Sequence, residues 1–484
     1  MQLKDLINNI QVIQKEGSLD KNVSGLQIDS RKVTKDNLFI ATKGTIVDGH
    51  IFIEAAISNG ASVIVCEDIP KETNPNTTYI QVEDSNRSIG FLADTFFDHP
   101  SSKLKLIGIT GTNGKTTTAT LLYDLFTKLG YKVGLLSTVC NYIHARQVET
   151  THTTPDAITI NKLLHEMVLT GCEYAFMEVS SHAIDQQRVC GLLFTGALFS
   201  NISRDHLDYH KTFANYLKVK QSFFDSLPSS SFALTNIDDK NGDVIVQHTK
   251  AKLYTYSLRK LTDFKVKIIE SHLDGMLLQL NSKEIAVQFS GEFNAYNILA
   301  AYGTAIILGQ NENEVLVALS ALKPASGRFE TLHSTDNKTV IVDYAHTPDA
   351  LINVLKTIQD ILVNRGNIIT VIGAGGNRDK GKRPLMAQEA AKKSNKLIIT
   401  ADNPRFEDPQ VIAEEMLAGL SAEDKQKTLC IINRREAIRT AIFLAQPNDV
   451  VLIAGKGHET YQEINGIKHH FDDREEVNAI FNSK

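Results

Sequence analysis

Short apolar runs alternate with amphipathic stretches along this chain, and the alternation comes in blocks. In the first block Leu38-Phe39-Ile40-Ala41 and Ser62-Val63-Ile64-Val65-Cys66 read as buried strands, after an opening amphipathic helix within Met1 to Ile10. Asp98-His99-Pro100-Ser101-Ser102 is a polar break and the first expected linker. A second block starts at Leu104. Leu106-Ile107-Gly108-Ile109-Thr110 reads as a strand, Thr117 to Leu129 has helical spacing, and Lys132 to Leu136, Tyr174 to Val179 and Gly196 to Ser200 read as further strands. This alternation predicts an α/β unit around a mainly parallel sheet. Lys323-Pro324-Ala325-Ser326-Gly327 is the second break. Beyond it strands are expected at Val340 to Val342, Ile368 to Ile372, Leu397 to Thr400 and Val450 to Ala454, with a glycine-rich turn at Gly373-Ala374-Gly375-Gly376.

At 484 residues the chain exceeds what one hydrophobic core fills, so two or three domains are expected. The net charge of -5, with acids and bases mixed, argues against a nucleic-acid binder. Cys66, Cys140, Cys172, Cys190 and Cys430 are scattered and form no CxxC pair, which fits a reducing cytoplasm and excludes a disulfide framework. No basic segment followed by an apolar stretch opens the chain and no apolar run spans a bilayer, so neither a leader nor a membrane span is expected.

The chemistry begins at Gly111-Thr112-Asn113-Gly114-Lys115-Thr116-Thr117, which follows a strand and opens a helix. Glycines let backbone N–H groups turn toward phosphates, and the helix N-terminus adds a favourable dipole. Lys115 supplies a charge for the outer phosphates, and the Thr116 hydroxyl suits Mg²⁺. The spacing departs from GxxxxGK[ST], because position 109 is Ile. A phosphate loop alone does not separate an ATPase, a GTPase and a ligase, although no NKxD guanine-reading motif is present.

Further segments follow in a fixed order: Glu178-Val179-Ser180-Ser181-His182, Asn201 to Asp208, Gly291 to Asn297, Gly327-Arg328-Phe329-Glu330, Asp343 to Pro348, and Gly455-Lys456-Gly457-His458-Glu459. Together with the loop they resemble the Mur ligases from about Gln27 to Arg474. The resemblance implies a three-domain α/β fold. A smaller N-terminal α/β domain (1–101) would bind UDP. A central P-loop ATPase-like domain with a mainly parallel sheet (102–328) would bind ATP. A C-terminal Rossmann-like domain (329–484) would bind the amino acid. It also implies a reaction. ATP phosphorylates the D-glutamate γ-carboxylate of UDP-N-acetylmuramoyl-L-alanyl-D-glutamate, and the amine of a diamino acid displaces the phosphate to form an amide. Two anions must meet in such a step, so fixed cations and Mg²⁺ are needed.

By the same resemblance Glu178 binds Mg²⁺, His206 binds a second Mg²⁺, and Lys220 is a ligand once carbamylated. An unmodified ammonium is no ligand, and from sequence alone Lys220 reads as a solvated helix lysine, with Lys218 as its confounder. Asn294, Asn297 and Arg328 resemble ATP contacts, and Asn294 also suits a helix cap. The UDP-sugar-peptide positions are Ile28, Ser30, Thr45, Ile46 and Val47, then His152, Thr153, Thr154, Ser180, Gln186 and Arg188. His152 replaces an asparagine of some relatives, and Ile28 and Val47 taken singly read as core residues. Arg378, Asp402-Asn403-Pro404-Arg405, Gly455 and Glu459 resemble a meso-diaminopimelate pocket. Arg405 would pair with the distal carboxylate of that amino acid and repel the bare ammonium of lysine, while Glu459 would receive the distal ammonium. A monomer is expected. The competing readings are an L-lysine-adding ligase, a folylpolyglutamate synthetase and a non-catalytic P-loop regulator.

Overall fold

The computed structural model describes residues 1–44, 47–150, 152–363 and 365–482. Among them the strands form three main sheets in succession along the chain. The first has five strands in the order Val12–Glu16, Thr78–Val82, Ala61–Cys66, Asn37–Ile40 and Gly25–Gln27. The helix Ser85–Phe96 buries Ile89, Leu92 and Ala93 against this sheet's core. The expected break at Asp98 to Ser102 is a packed 3₁₀ turn, where Ser101 is buried and its hydroxyl accepts from the Leu193 N–H at 3.0 Å.

The second sheet has eleven strands. Its centre is parallel: Phe232–Asn236, Gly196–Phe199, Lys105–Thr110, Tyr174–Glu178 and Val133–Leu136 lie side by side. These strands are buried from end to end apart from Lys105, because the helices Lys115–Lys128 and Phe213–Asp225 contribute to separate cores on either side of them. At one edge an antiparallel meander, Phe264–His272, Gly275–Leu280 and Lys283–Val287, extends the sheet. At the other edge sits the hairpin Asn141–Ile143 and Arg146–Val148. The register aligns Glu178 with Ile109 and Phe199 with Thr110, so three adjacent strands release their loops at one place. Crevices at the carboxyl ends of parallel strands are where such sheets bind ligands.

The third sheet has six strands, ordered Glu330–His333, Thr339–Asp343, Val450–Ala454, Ile368–Ile372, Lys396–Ile399 and Thr428–Cys430, all parallel except the first. Helices cover both faces of this Rossmann-like unit. A fully buried ion pair closes it: Arg434 Nε and Nη2 donate to Asp473 at 2.7 Å each. The segment joining the second and third sheets passes extremely close to a later loop. A Cβ placed on Gly327 would lie 2.1 Å from the Gly457 carbonyl carbon and the His458 nitrogen. No helix among the described residues is long and apolar enough to cross a membrane.

Candidate active site

The phosphate loop forms because the strand Lys105–Thr110 ends where the helix Lys115–Lys128 must begin. Gly114 makes the turn with φ of +88°, a left-handed value that side chains disfavour, and a Cβ there would stand 2.6 Å from Asn297 Oδ1. As N-cap it offers no side chain, so the first N–H groups of the helix remain available to an anion. The loop is braced from the neighbouring strand. Asn201 Oδ1 accepts from the Asn113 N–H at 2.9 Å, and Ser200 Oγ donates to the Asn113 carbonyl at 2.7 Å. The Thr112 hydroxyl is 3.0 Å from the Tyr216 hydroxyl. From the third sheet's side, Asp349 Oδ2 accepts from Asn113 Nδ2.

Three of the expected residues, Glu178, Arg328 and Lys220, meet beside this loop. Thr116 Oγ1 donates to Glu178 Oε2 at 3.0 Å, and Arg328 Nη2 donates to Thr116 Oγ1 at 3.2 Å. Glu178 is buried, and its other oxygen accepts from the Thr138 N–H at 2.8 Å. The Arg328 guanidinium lies 4.5 Å over the Tyr344 ring, and its Nε is buried without a partner. Lys115 folds back, its ammonium donating to the carbonyls of Gly111 and Thr112 at 2.9 Å each. Lys220 reaches the same Gly111 carbonyl at 2.9 Å, and the Thr110 hydroxyl at 3.3 Å. Burial pushes both lysines below the usual ammonium range, that of Lys220 strongly, and each feels repulsion from a neighbouring cation. The helix Phe213–Asp225 separates the two lysine candidates: Lys220 is buried and Lys218 is exposed.

His206 holds a left-handed φ of +54° at the start of a short helix. Its Nε2 is 3.4 Å from Asp205 Oδ2, and its ring meets the edge of His182 at 4.9 Å. Burial lowers the His206 pKa to about 3 against the attraction of Asp205, so the ring is neutral at ordinary pH. The helix Glu292–Ile307 is not capped by Asn294, since its N-cap is Gly291. Asn294 lies within it, donating to the Ser290 carbonyl at 2.9 Å and accepting from Asn297 Nδ2 at 3.2 Å. Asn297 in turn accepts from the Thr118 hydroxyl at 3.3 Å, which carries the pair to the phosphate-loop helix. Thr117 is buried in that helix.

A second network runs from Glu178. Thr154 Oγ1 donates to the Glu178 carbonyl at 2.8 Å and lies 3.3 Å from Ser180 Oγ. Arg188 donates to the Thr154 carbonyl at 2.7 Å and to Gln186 Oε1 at 2.6 Å. Thr153 Oγ1 accepts from Thr138 Oγ1 at 3.1 Å, and the His152 carbonyl accepts from Thr150. Ile28 and Val47 are exposed apolar residues of the first sheet's unit, not core residues, and Ser30, two positions after Ile28, opens a 3₁₀ turn. Thr45 and Ile46 lie outside the described residues.

The residues expected to hold the amino acid lie around one turn of the third sheet's unit. Asp402, Asn403, Pro404 and Arg405 leave the strand Lys396–Ile399 and face the glycine-rich turn. Arg405 has φ of +53°, donates to the Gly376 carbonyl at 2.7 Å and pairs with Glu463 at 3.3 Å. Arg378 lies at the same turn, its Cγ 3.8 Å from where a Gly375 Cβ would stand. Gly455 approaches Asp402 so closely that a Cβ would be 2.6 Å from the carboxylate. Glu459 accepts from Asn403 Nδ2 at 2.7 Å, and burial raises its pKa. Its cation in this structure is the buried Lys456 at 3.2 Å, which also donates to Asn403 Oδ1 and to the Tyr461 carbonyl.

Sequence reasoning missed Lys456, Asp349, Tyr216 and Asn201 as site-builders. Lys456 lies between the assigned Gly455 and Glu459, and Asn201 opens the segment that carries His206, so a polar neighbour of an assigned residue was the available signal. Asp349 and Tyr216 carried none, because their partners are remote in sequence.

Three family descriptions match in succession: Mur ligase family, catalytic domain, over residues 22–96; Mur ligase middle domain over 109–305; and Mur ligase, glutamate ligase domain over 327–457. The UDP-N-acetylmuramoyl-L-alanyl-D-glutamate--2,6-diaminopimelate ligase of Bacteroides fragilis is 58% identical over 99% of each chain. The protein of the same name from Cytophaga hutchinsonii is 55% identical over 98% of each. A solved structure under that name superposes with a TM-score of 0.70 at 33% identity, covering 100% of this chain and 99% of that one. With the phosphate loop, its buried carboxylate and lysine, and the three sheets in the matching order, this chain belongs to the Mur ligase family.

Proposed function

We propose that this chain uses ATP to join meso-2,6-diaminopimelate to the D-glutamate γ-carboxylate of UDP-N-acetylmuramoyl-L-alanyl-D-glutamate, a step in building peptidoglycan precursors. The observation that carries the reading is the convergence of the phosphate loop, Glu178 and Arg328 in one buried cluster, with Arg405 and Glu459 in a second. The names of the full-length relatives point the same way. The domain limits 1–101, 102–328 and 329–484 belong to this proposal, as do a cytoplasmic location and a monomeric state.

The first N–H groups of the helix Lys115–Lys128 and the Lys115 ammonium receive the ATP phosphates, and Arg328 neutralises charge on the transferred group. Asn294 and Asn297 flank the nucleotide. Arg188, Gln186, Ser180, Thr154, Thr153 and His152 hold the peptide end of the acceptor, while Ile28, Ser30, Thr45, Ile46 and Val47 hold its UDP end. The γ-carboxylate takes the γ-phosphoryl group and ADP leaves. The amine nitrogen then forms the C–N bond, and the C–O bond to phosphate breaks with its electron pair passing to phosphate.

The donor set fits Mg²⁺ in part. A carboxylate oxygen and a hydroxyl oxygen 3.0 Å apart on Glu178 and Thr116 suit this hard cation, with His206 nearby. The Lys220 amine does not suit it, and no group of three or more His, Cys, Asp or Glu among the described residues forms a metal cluster. Carbamylation of Lys220 supplies the missing anionic oxygens. Its burial favours the neutral amine, the form that adds carbon dioxide. When bound, Mg²⁺ screens the repulsion between the carboxylate and the γ-phosphoryl group.

The test is an ATP-dependent assay with the UDP-dipeptide and a panel of diamino acids, with products read by mass. A product heavier by one diaminopimelate residue is expected. Preferential addition of L-lysine, or phosphate release independent of the two substrates, would overturn the reading.

A further inference from the structure

Lys456 follows the strand Val450–Ala454, between Gly455 with φ of +116° and Gly457 with φ of +51°. Its side chain is 0% exposed. The ammonium donates to Glu459 Oε2 at 3.2 Å, to Asn403 Oδ1 at 3.3 Å and to the Tyr461 carbonyl. Asn403, also buried, uses both ends of its amide in the same place. Its Nδ2 donates to Glu459 Oε2 at 2.7 Å, and its Oδ1 accepts from the Glu463 N–H at 2.9 Å. One ammonium thus ties together the Glu459 carboxylate, the loop that carries Arg405, and the hairpin Tyr461–Ile464 with Ile467–His470.

A buried ion pair adds little to stability, because lost hydration offsets the attraction. Its effect on local charge is larger. Burial, and then the neighbouring Asp402 carboxylate, push the Glu459 pKa up, while Lys456 and Asn403 oppose the rise. The other groups around Glu459 are committed or neutral. Tyr344 and Tyr461 are held as neutral phenols by burial, and burial likewise keeps the adjoining His458 neutral. Arg434 is paired with Asp473, and Arg405 with Glu463. Lys468 lies over the Tyr461 ring, 4.2 Å from its centre. Lys456 therefore balances one of two carboxylates and leaves a single negative charge, the complement of one arriving ammonium.

We propose that Lys456 is a positioning residue for the amino-acid substrate, whose ammonium holds the Glu459 carboxylate in place and negatively charged to receive the distal ammonium of the diamino acid. The inference rests on the ligase reading above. Without Lys456, two carboxylates would face each other in a buried loop, and Glu459 would take up a proton near neutral pH. A protonated Glu459 offers the substrate's ammonium no charge. Raising the pH would remove that proton and restore the contact.

The test measures the KM for meso-diaminopimelate at pH 7 and pH 9 in wild type, Lys456→Met, Glu459→Gln and the double variant, with ADP binding by calorimetry as a check on the folded nucleotide site. At pH 7, Lys456→Met is expected to raise this KM by about tenfold, with kcat and the KM for ATP within about threefold of wild type. At pH 9 the ratio of variant to wild-type KM should fall below about threefold, since Glu459 ionises again. Taking the ratio cancels the pH dependence of the attacking amine, which both enzymes share. In the Glu459→Gln background, Lys456→Met should add less than about twofold, because the residue acts through Glu459. Lys456→Gln replaces the Met variant if that one fails to bind ADP. A KM ratio equal at the two pH values would assign Lys456 to packing alone and overturn the proposal. So would a KM for diaminopimelate close to wild type at pH 7, or a full tenfold effect in the Glu459→Gln background. A wild type that forms no amide with any diamino acid would instead defeat the ligase reading itself.

Discussion

The side-chain amide of Asn113 donates a 3.0 Å hydrogen bond to the carboxylate of Asp349, 236 positions later in the chain. Asn113 belongs to the phosphate loop, and Asp349 to the first turn of the helix Pro348–Leu362, which packs on the third sheet. The phosphate loop is thereby held from the unit built on the third sheet. Removing the bond by Asp349→Ala should cost about 1–2 kcal/mol of transition-state stabilisation, or roughly tenfold in kcat/KM for ATP. Steady-state kinetics at saturating dipeptide measures it. An unchanged kcat/KM would leave this contact without a part in catalysis.

Lys220→Ala should abolish most activity, because it removes both the buried amine and the carboxylate that amine can become. A loss of about 100-fold or more is expected, with partial recovery on adding acetate or propionate. Full activity of this variant with no added acid would sink the proposed role.

Arg405 is tied to the Gly376 carbonyl and to Glu463, so its guanidinium is fixed before any amino acid arrives. Arg405→Ala should lower the ratio of kcat/KM for meso-diaminopimelate to that for L-lysine by about 100-fold, the scale of a lost bidentate charged contact. Parallel assays with the two amino acids give the ratio. If it does not move, selection resides elsewhere.

Asp124 provides a stability test away from catalysis. Burial raises its carboxyl to about 6 against the attraction of Lys128, from an ordinary value of 3.8. The folded protein then holds a proton that the unfolded chain has released, so stability falls as pH rises from about 4 to about 6. Allowing for partial solvent screening, the loss is about 1–2 kcal/mol. Asp124→Asn should lack it, gaining stability over wild type at pH 7.5 and losing the advantage near pH 4. Thermal melts across that range decide the matter, and a pH-independent difference would refute it.

The strand, loop and helix around Gly111 to Thr117 were legible because a parallel strand covered on both faces must be continuously apolar and its glycines have few other uses. The meander from Phe264 to Val287 was not found. Its alternating pattern, buried at Val266, Met276, Leu278 and Leu280, is interrupted by a register shift between Ile268 and Glu270. Choosing Lys220 over Lys218 needed the family resemblance, since both fall within one helix and only its rotation separates them. Lys456 was passed over for a different reason: what defines it is a buried partnership with Asn403, 53 residues away.

Gly327 and Gly457 meet backbone to backbone, and each lacks room for even one carbon on the side facing the other. A clash between side chains can be relieved by shrinking the partner, but here neither partner has anything left to give. Replacement at either position cannot be rescued by a second change at the other. The junction that sets Arg328 beside the loop of Lys456 and Glu459 is thus closed to compensatory evolution, and the spacing between the two halves of the site is inherited as a unit.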